Sequence, residues 1–155
     1  MPLHPDFRDL LAVFAAHRVD YLVVGGYAVG FHAQPRFTKD IDLWVGNQPE
    51  NLNRVRVALE EFGAPVAMLA QIESARDEDV LWMGVPPVRI DVVKGVPGGD
   101  FPACYSRRIV ATWEGVPVSI IARCDLIAIK RASGRPQDIL DVEVLEAVPG
   151  GAPQR

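Results

Sequence analysis

Three carboxylates stand in this chain where carboxylates are costly. Asp40 and Asp42 open the run Asp40-Ile41-Asp42-Leu43-Trp44-Val45, and Asp91 sits inside Val88-Arg89-Ile90-Asp91-Val92-Val93. Both runs read as strands. Alternate side chains in a strand face alike, so Asp40 and Asp42 share one face while Ile41 and Leu43 take the other. Paired acids in an apolar strand repel each other and call for positive charge, and a divalent cation is the obvious candidate. If the Asp91 strand lies beside the Asp40 strand, all three converge on one edge of the sheet. Such a triad can hold two ions, Mg²⁺ or Mn²⁺, about 4 Å apart, an arrangement used for in-line attack on phosphorus. One ion would lower the pKa of an attacking hydroxyl. The other would hold a triphosphate and neutralise charge on the leaving pyrophosphate. Gly25-Gly26, ahead of a helix, suits a backbone that comes close to phosphate oxygens and points free amides at them.

The elements that would position these groups follow from periodicity. Tyr21 to Val24 is a short apolar strand, broken by Gly25-Gly26, followed by a turn or two of helix, a loop at Pro35 and the Asp40 strand. Ahead of it, Phe7, Leu10, Leu11 and Phe14 mark one face of a helix over Asp6 to His17. After it, Leu52, Val55, Leu59 and Phe62 predict a helix from about Glu50 to Phe62, stopped by Gly63 and Pro65. Val66 to Ile72 is expected as a short strand, with a helix as the alternative for Ala67 to Ala70. Glu73 to Asp79 reads as a solvated acidic loop. Val80 to Val85 and Val88 to Val93 form a hairpin around Pro86-Pro87, and Asp91 shares its face with Arg89 and Val93. Gly95 to Pro102 is expected as loop. Ile109 to Trp113 and Val116 to Ile121 flank Glu114-Gly115 as a second hairpin. Two helices close the chain, Cys124 to Ala132 and Pro136 to about Ala147. Helices and strands interleave first and a β-rich part follows, which argues for an α/β to α+β fold with a mixed β-sheet and flanking helices.

The chain has 155 residues, 49% hydrophobic and 23% charged, which suits one domain over residues 1–148 with a disordered tail at 149–155. The formal net charge of −4 gives no basic field, so a nucleic-acid partner would need a local patch. Arg107-Arg108 is the thin candidate for one. Cys104 and Cys124 match no ligand spacing and fit a reducing, cytoplasmic setting. No apolar run approaches the roughly 20 residues of a membrane span, and the start of the chain lacks a secretory pattern.

With these residues in view, the chain resembles the nucleotidyltransferase superfamily typified by DNA polymerase beta: Gly-Gly, about a dozen residues, Asp-x-Asp, and a later strand aspartate. More narrowly, Gly25-Gly26 with Arg36, Thr38, Asp40 and Asp42 resembles the small bacterial AbiEii-type proteins, whose signature runs Gly-Gly, then Arg-x-Thr-x-Asp-hydrophobic-Asp. Lys130, Arg135, Asp138 and Asp141 fill that group's later motif, and the likeness spans about Leu10 to Leu145. It implies Asp40 and Asp42 as ligands of both metals and Asp91 as completing the site of the ion that activates the acceptor. It implies Gly25 and Gly26 on the β- and γ-phosphates, with Lys130 as a further phosphate contact. Arg36 and Thr38 are further nucleotide-binding candidates. Many active members of the wider superfamily have Gly-Ser where this chain has Gly25-Gly26, so a hydroxyl contact to phosphate is missing.

The expected activity is Mg²⁺- or Mn²⁺-dependent transfer of a nucleoside monophosphate from an NTP to a hydroxyl on a tRNA end, a protein side chain or a small molecule. A protein partner or a second copy would supply the acceptor surface that a chain of this size lacks. The alternatives are a non-catalytic binding protein, such as half of a toxin–antitoxin pair, and a metal-dependent phosphoesterase. Each residue also has a plain structural role to set against its chemistry. Asp40 and Asp42 can be a solvated strand end, Asp91 a partner of Arg89, and Gly25-Gly26 a turn. Arg36 and Thr38 can stabilise a loop and cap the strand, and Lys130 can serve a helix end. Asp138 and Asp141 read as a structural face or partners of Arg135, the histidines as incidental, and Trp44, Trp82 and Trp113 as core or sheet-surface residues.

Overall fold

The protein is represented by a computed structural model that describes residues 3–35 and 37–149. Its centre is β1 (Tyr21–Val24), four apolar residues all buried, as expected of a strand covered on both faces. β2 (Asp40–Val45) runs antiparallel to it, and β4 (Arg89–Val93) lies parallel to β2 on the far side. β3 (Leu81–Met83) closes that edge antiparallel to β4. On the other side β6 (Val116–Ile120) is parallel to β1, and β5 (Ile109–Trp113) pairs antiparallel with β6. The order is β3-β4-β2-β1-β6-β5, a mixed six-stranded sheet.

Register sorts the side chains. Val23, Ile41, Leu43, Ile90, Val92 and Ile120 fall on one face, and every one of them is buried. This is the main core. α1 (Pro5–Ala16) and α3 (Pro49–Phe62) turn Phe7, Leu10, Leu11, Phe14, Leu52, Val55 and Leu59 inward, continuous with that face. Pro5 at the first turn and the His4 ring, which accepts from the Asp6 amide, start α1. Gly63, in the left-handed region at φ 104°, ends α3. The opposite face carries Asp40, Asp42, Arg89 and Asp91, with Trp44 buried among them. α2 (Gly25–His32) leaves the end of β1, and α6 (Arg123–Ser133) and α7 (Pro136–Glu146) lie on this side.

Two local expectations need correction. Val66–Gln71 is a helix, α4: Met68 and Ile72 are the buried positions, four apart, which is a helical and not a strand spacing. The Gly- and Pro-rich stretch expected as loop over Gly95 to Pro102 gives way at its last two residues to a further helix, α5 (Phe101–Ser106). Pro102 sits in its first turn, where a missing N–H costs nothing, and the Phe101 ring packs edge-on against Trp44 at 5.3 Å. The tail expectation for residues 150–155 falls outside the described residues.

Candidate active site

The site is built where β1 and β2 meet α2. Val24 pairs with Asp42 across the two strands, and the chain then turns at Gly25 with φ +69°. A β-carbon at position 25 would overlap the Oδ2 atom and carboxyl carbon of Asp42. Glycine is needed there twice, for the left-handed backbone and for the room that the carboxylate occupies.

β2 and β4 supply the acids. Their parallel pairing sets Asp42 level with Asp91 and Asp40 level with Arg89. One oxygen from each of Asp40, Asp42 and Asp91 lies within 4.8 Å of the other two. Such crowding of like charge, away from bulk water, disfavours full ionisation. Burial first, then Asp40 and Asp91, pushes the Asp42 carboxyl up to about 7, with Lys130 opposing. Burial and contact with Asp91 also raise Asp40, against the pull of Arg89. Burial and the charge on Asp40 raise the nearby Tyr27 phenol. The donor set is all carboxylate, with neither thiol nor imidazole in the group. That chemistry fits a hard divalent cation such as Mg²⁺.

These residues line one wall of a cleft of about 890 Å³, whose lining includes Gly25, Gly26, Thr38 and Lys39. Leu126, Ile129 and Lys130 of α6 and Asp138 and Asp141 of α7 form the other wall. Lys130, 7% exposed, places its Nζ 2.9 Å from Asp141 and 3.4 Å from Asp138. Arg135, at the turn between α6 and α7, donates from Nε to Asp138 at 2.8 Å. Burial alone would raise Asp138. Hydrogen bonds from Arg135 and Ser133 and the charge of Lys130 outweigh it and hold that carboxyl down at about 2.

The structure therefore brings Asp40, Asp42, Asp91, Gly25, Gly26, Thr38 and Lys130 to one cleft. Arg36 lies outside the described residues. Arg107 and Arg108 are engaged elsewhere: Arg107 grips both oxygens of Asp125 at 2.9 and 2.8 Å, and Arg108 lies over the Tyr105 ring at 3.9 Å. The sequence pairs Arg89 with Asp91 only as a plain ion pair and gives Trp82 no part in the site. The Arg89 Nε donates to Asp91 Oδ1 at 2.7 Å, and its guanidinium lies 4.6 Å from the centre of the Trp82 ring. A signal for Trp82 exists: Pro86-Pro87 falls midway between positions 82 and 91, so a symmetrical hairpin sets them opposite each other.

A family profile described as "Nucleotidyltransferase of unknown function (DUF6036)" matches residues 7–148. No curated protein sequence matches the chain. Among solved structures, the lincosamide antibiotic adenylyltransferase LnuA, bound to lincomycin, superposes with a TM-score of 0.62 at 15% identity. The match covers 96% of this chain and 99% of LnuA. ANT(2")-Ia, in complex with adenylyl-2"-tobramycin, gives 0.56 at 16% identity, covering 90% and 84% of the two chains. An antigenic nucleotidyltransferase-like protein from Paracoccidioides brasiliensis gives 0.51 at 16% identity, covering 97% and 81%. At these identities the likeness is one of fold.

Proposed function

Since the chain belongs to the DUF6036 family of nucleotidyltransferases, we propose that it moves a nucleoside monophosphate from an NTP to a hydroxyl acceptor and releases pyrophosphate. The observation that carries this reading is the convergence of Asp40, Asp42 and Asp91 within 4.8 Å, next to a glycine elbow at a helix start. Asp40, Asp42 and Asp91 would hold Mg²⁺ or Mn²⁺, which when bound lowers the pKa of the acceptor hydroxyl and neutralises charge on the triphosphate. Gly25 and Gly26 begin α2, so their amides point out of a helix start and suit phosphate oxygens. Thr38 and Lys130 line the same cleft as further nucleotide contacts, and Arg36 belongs with them through its place in the Arg-x-Thr-x-Asp signature. The apolar side chains of Leu126 and Ile129 help keep water off the transferred group.

LnuA and ANT(2")-Ia share the fold, and the molecules solved with them support a small-molecule hydroxyl as acceptor ahead of a tRNA end or a protein side chain. We read residues 1–148 as one catalytic unit, working in a reducing cytoplasm that suits the free thiols of Cys104 and Cys124. Among the described residues no helix is long and apolar enough to cross a membrane. A partner protein or a second copy would complete the acceptor surface. A second reading, a non-catalytic member of AbiEii-type or toxin–antitoxin character, draws on the glycine pair, which offers no hydroxyl to phosphate.

The test is pyrophosphate release from each of the four NTPs with Mg²⁺ and a panel of hydroxyl acceptors. Release that is lost in Asp42→Asn is the expected result. A melting temperature unmoved by any NTP, with no release, would select the non-catalytic reading. Ester hydrolysis without nucleotide would select a phosphoesterase.

A further inference from the structure

Arg89 stands two residues before Asp91 on the same face of β4, and its Nε donates to Asp91 Oδ1 at 2.7 Å. A guanidinium in an acidic site can fill it or shape it, and its direction decides which. Trp82 is the β3 partner of Asp91, on the side of β4 away from β2, and the guanidinium lies over its ring at 4.6 Å. Neighbouring strands are about 4.8 Å apart, so Trp82 and the Asp40–Asp42 pair flank Asp91 from opposite sides. The guanidinium is drawn to the outer flank. With Oδ1 held there, the carboxylate is left to offer its other oxygen toward β2.

We propose that Arg89, held over the Trp82 ring, is a positioning residue that orients Asp91 for cation binding. The proposal rests on the metal reading above. Stacking and a charge-assisted hydrogen bond both favour the planar guanidinium over a lysine ammonium at this position. Partners that hydrogen-bond to a metal ligand are commonly worth about 10- to 100-fold in metal affinity. The opposite view makes Arg89 a stand-in cation that a metal must expel, and it predicts the opposite sign.

The experiment is titration of the full chain with Mn²⁺ alone, without nucleotide, following free Mn²⁺ by electron paramagnetic resonance. Arg89→Gln is expected to weaken Mn²⁺ binding about tenfold. Trp82→Leu should weaken it about three- to fivefold, as expected for loss of an exposed cation–π contact. Removing a positive neighbour would by itself tighten cation binding, so weakening cannot come from charge alone. Unchanged or tighter binding in Arg89→Gln overturns the proposal. Should that variant fail to fold, unchanged or tighter binding in Trp82→Leu overturns it instead. Asp91→Asn separates the two levels. If Asp91→Asn binds Mn²⁺ as tightly as the unaltered chain, the metal reading itself fails. If Asp91→Asn loses binding while Arg89→Gln keeps it, only the positioning role fails.

Discussion

The cleft has two acidic walls, and the protein treats them in opposite ways. On α7, Asp138 and Asp141 receive Lys130, and Asp138 also receives Arg135, so the Asp138 carboxyl is held down at about 2. On the sheet, Asp40, Asp42 and Asp91 crowd one another. Burial first, and then the charges of Asp40 and Asp91, raise the Asp42 carboxyl to about 7, while Lys130 opposes them from across the cleft and Arg89 touches Asp91 from the outer flank. The first wall is neutralised from within the chain and ties α6 to α7. The second is short of positive charge, as a site that waits for a cation would be. One acidic cluster holds the fold together and the other holds a charge deficit, and the difference lies in which wall the lysine and arginine were placed against.

Substitution on each side sharpens that contrast. Asp42→Asn should cut pyrophosphate release by several kcal/mol of transition-state stabilisation, about 10²- to 10⁴-fold. The same change should raise the melting temperature of the metal-free protein at pH 8 by about 2–4 °C, on the order of 1 kcal/mol. A fall in stability there would break the comparison. Lys130→Met, read by chemical denaturation, should cost about 3–5 kcal/mol, because it leaves Asp138 and Asp141 buried without their ammonium partner. Gly25→Ala should cost about 1–3 kcal/mol through the left-handed backbone and also displace Asp42, so transfer and Mg²⁺-induced stabilisation fall together.

Acidity gives the cleanest sign. Folded Asp42 titrates near 7 against an ordinary value of 3.8, so between those values the folded chain holds more protons than the unfolded one. Stability of the metal-free protein therefore falls as pH rises through that window. Asp138 runs the other way: its contribution is present above its ordinary 3.8 and is lost as pH falls toward 2. Melting curves in EDTA from pH 4 to 8 should slope downward, and the slope should flatten in Asp42→Asn and with saturating Mg²⁺.

Much of this was legible in the sequence because it is local. Alternation in Asp40-Ile41-Asp42-Leu43 set the two acids on one face, and Ile41 and Leu43 are indeed fully buried on the other. The hairpin around Pro86-Pro87 and the shared face of Arg89 and Asp91 came from the same period of two. What escaped depends on contacts between distant segments. Val66–Gln71 is too short for its period to be read without knowing that Met68 and Ile72 pack inward. α5 begins just after a run of glycines and proline, and its Phe101 packs on Trp44, a partner far back in the chain. Gly25 looked like a phosphate-binding turn, and its closeness to Asp42 emerges only once β1 and β2 are paired in register.

The parallel pairing of β2 with β4 has a practical consequence. Asp40 and Asp42 lie before the exposed acidic loop at residues 73–79, and Asp91 lies after it. A chain severed in that loop yields two fragments, each with an incomplete set of carboxylates. Under the proposed transfer, turnover would return only when the fragments reassemble, and the cut protein would serve as a low-background reporter of complementation.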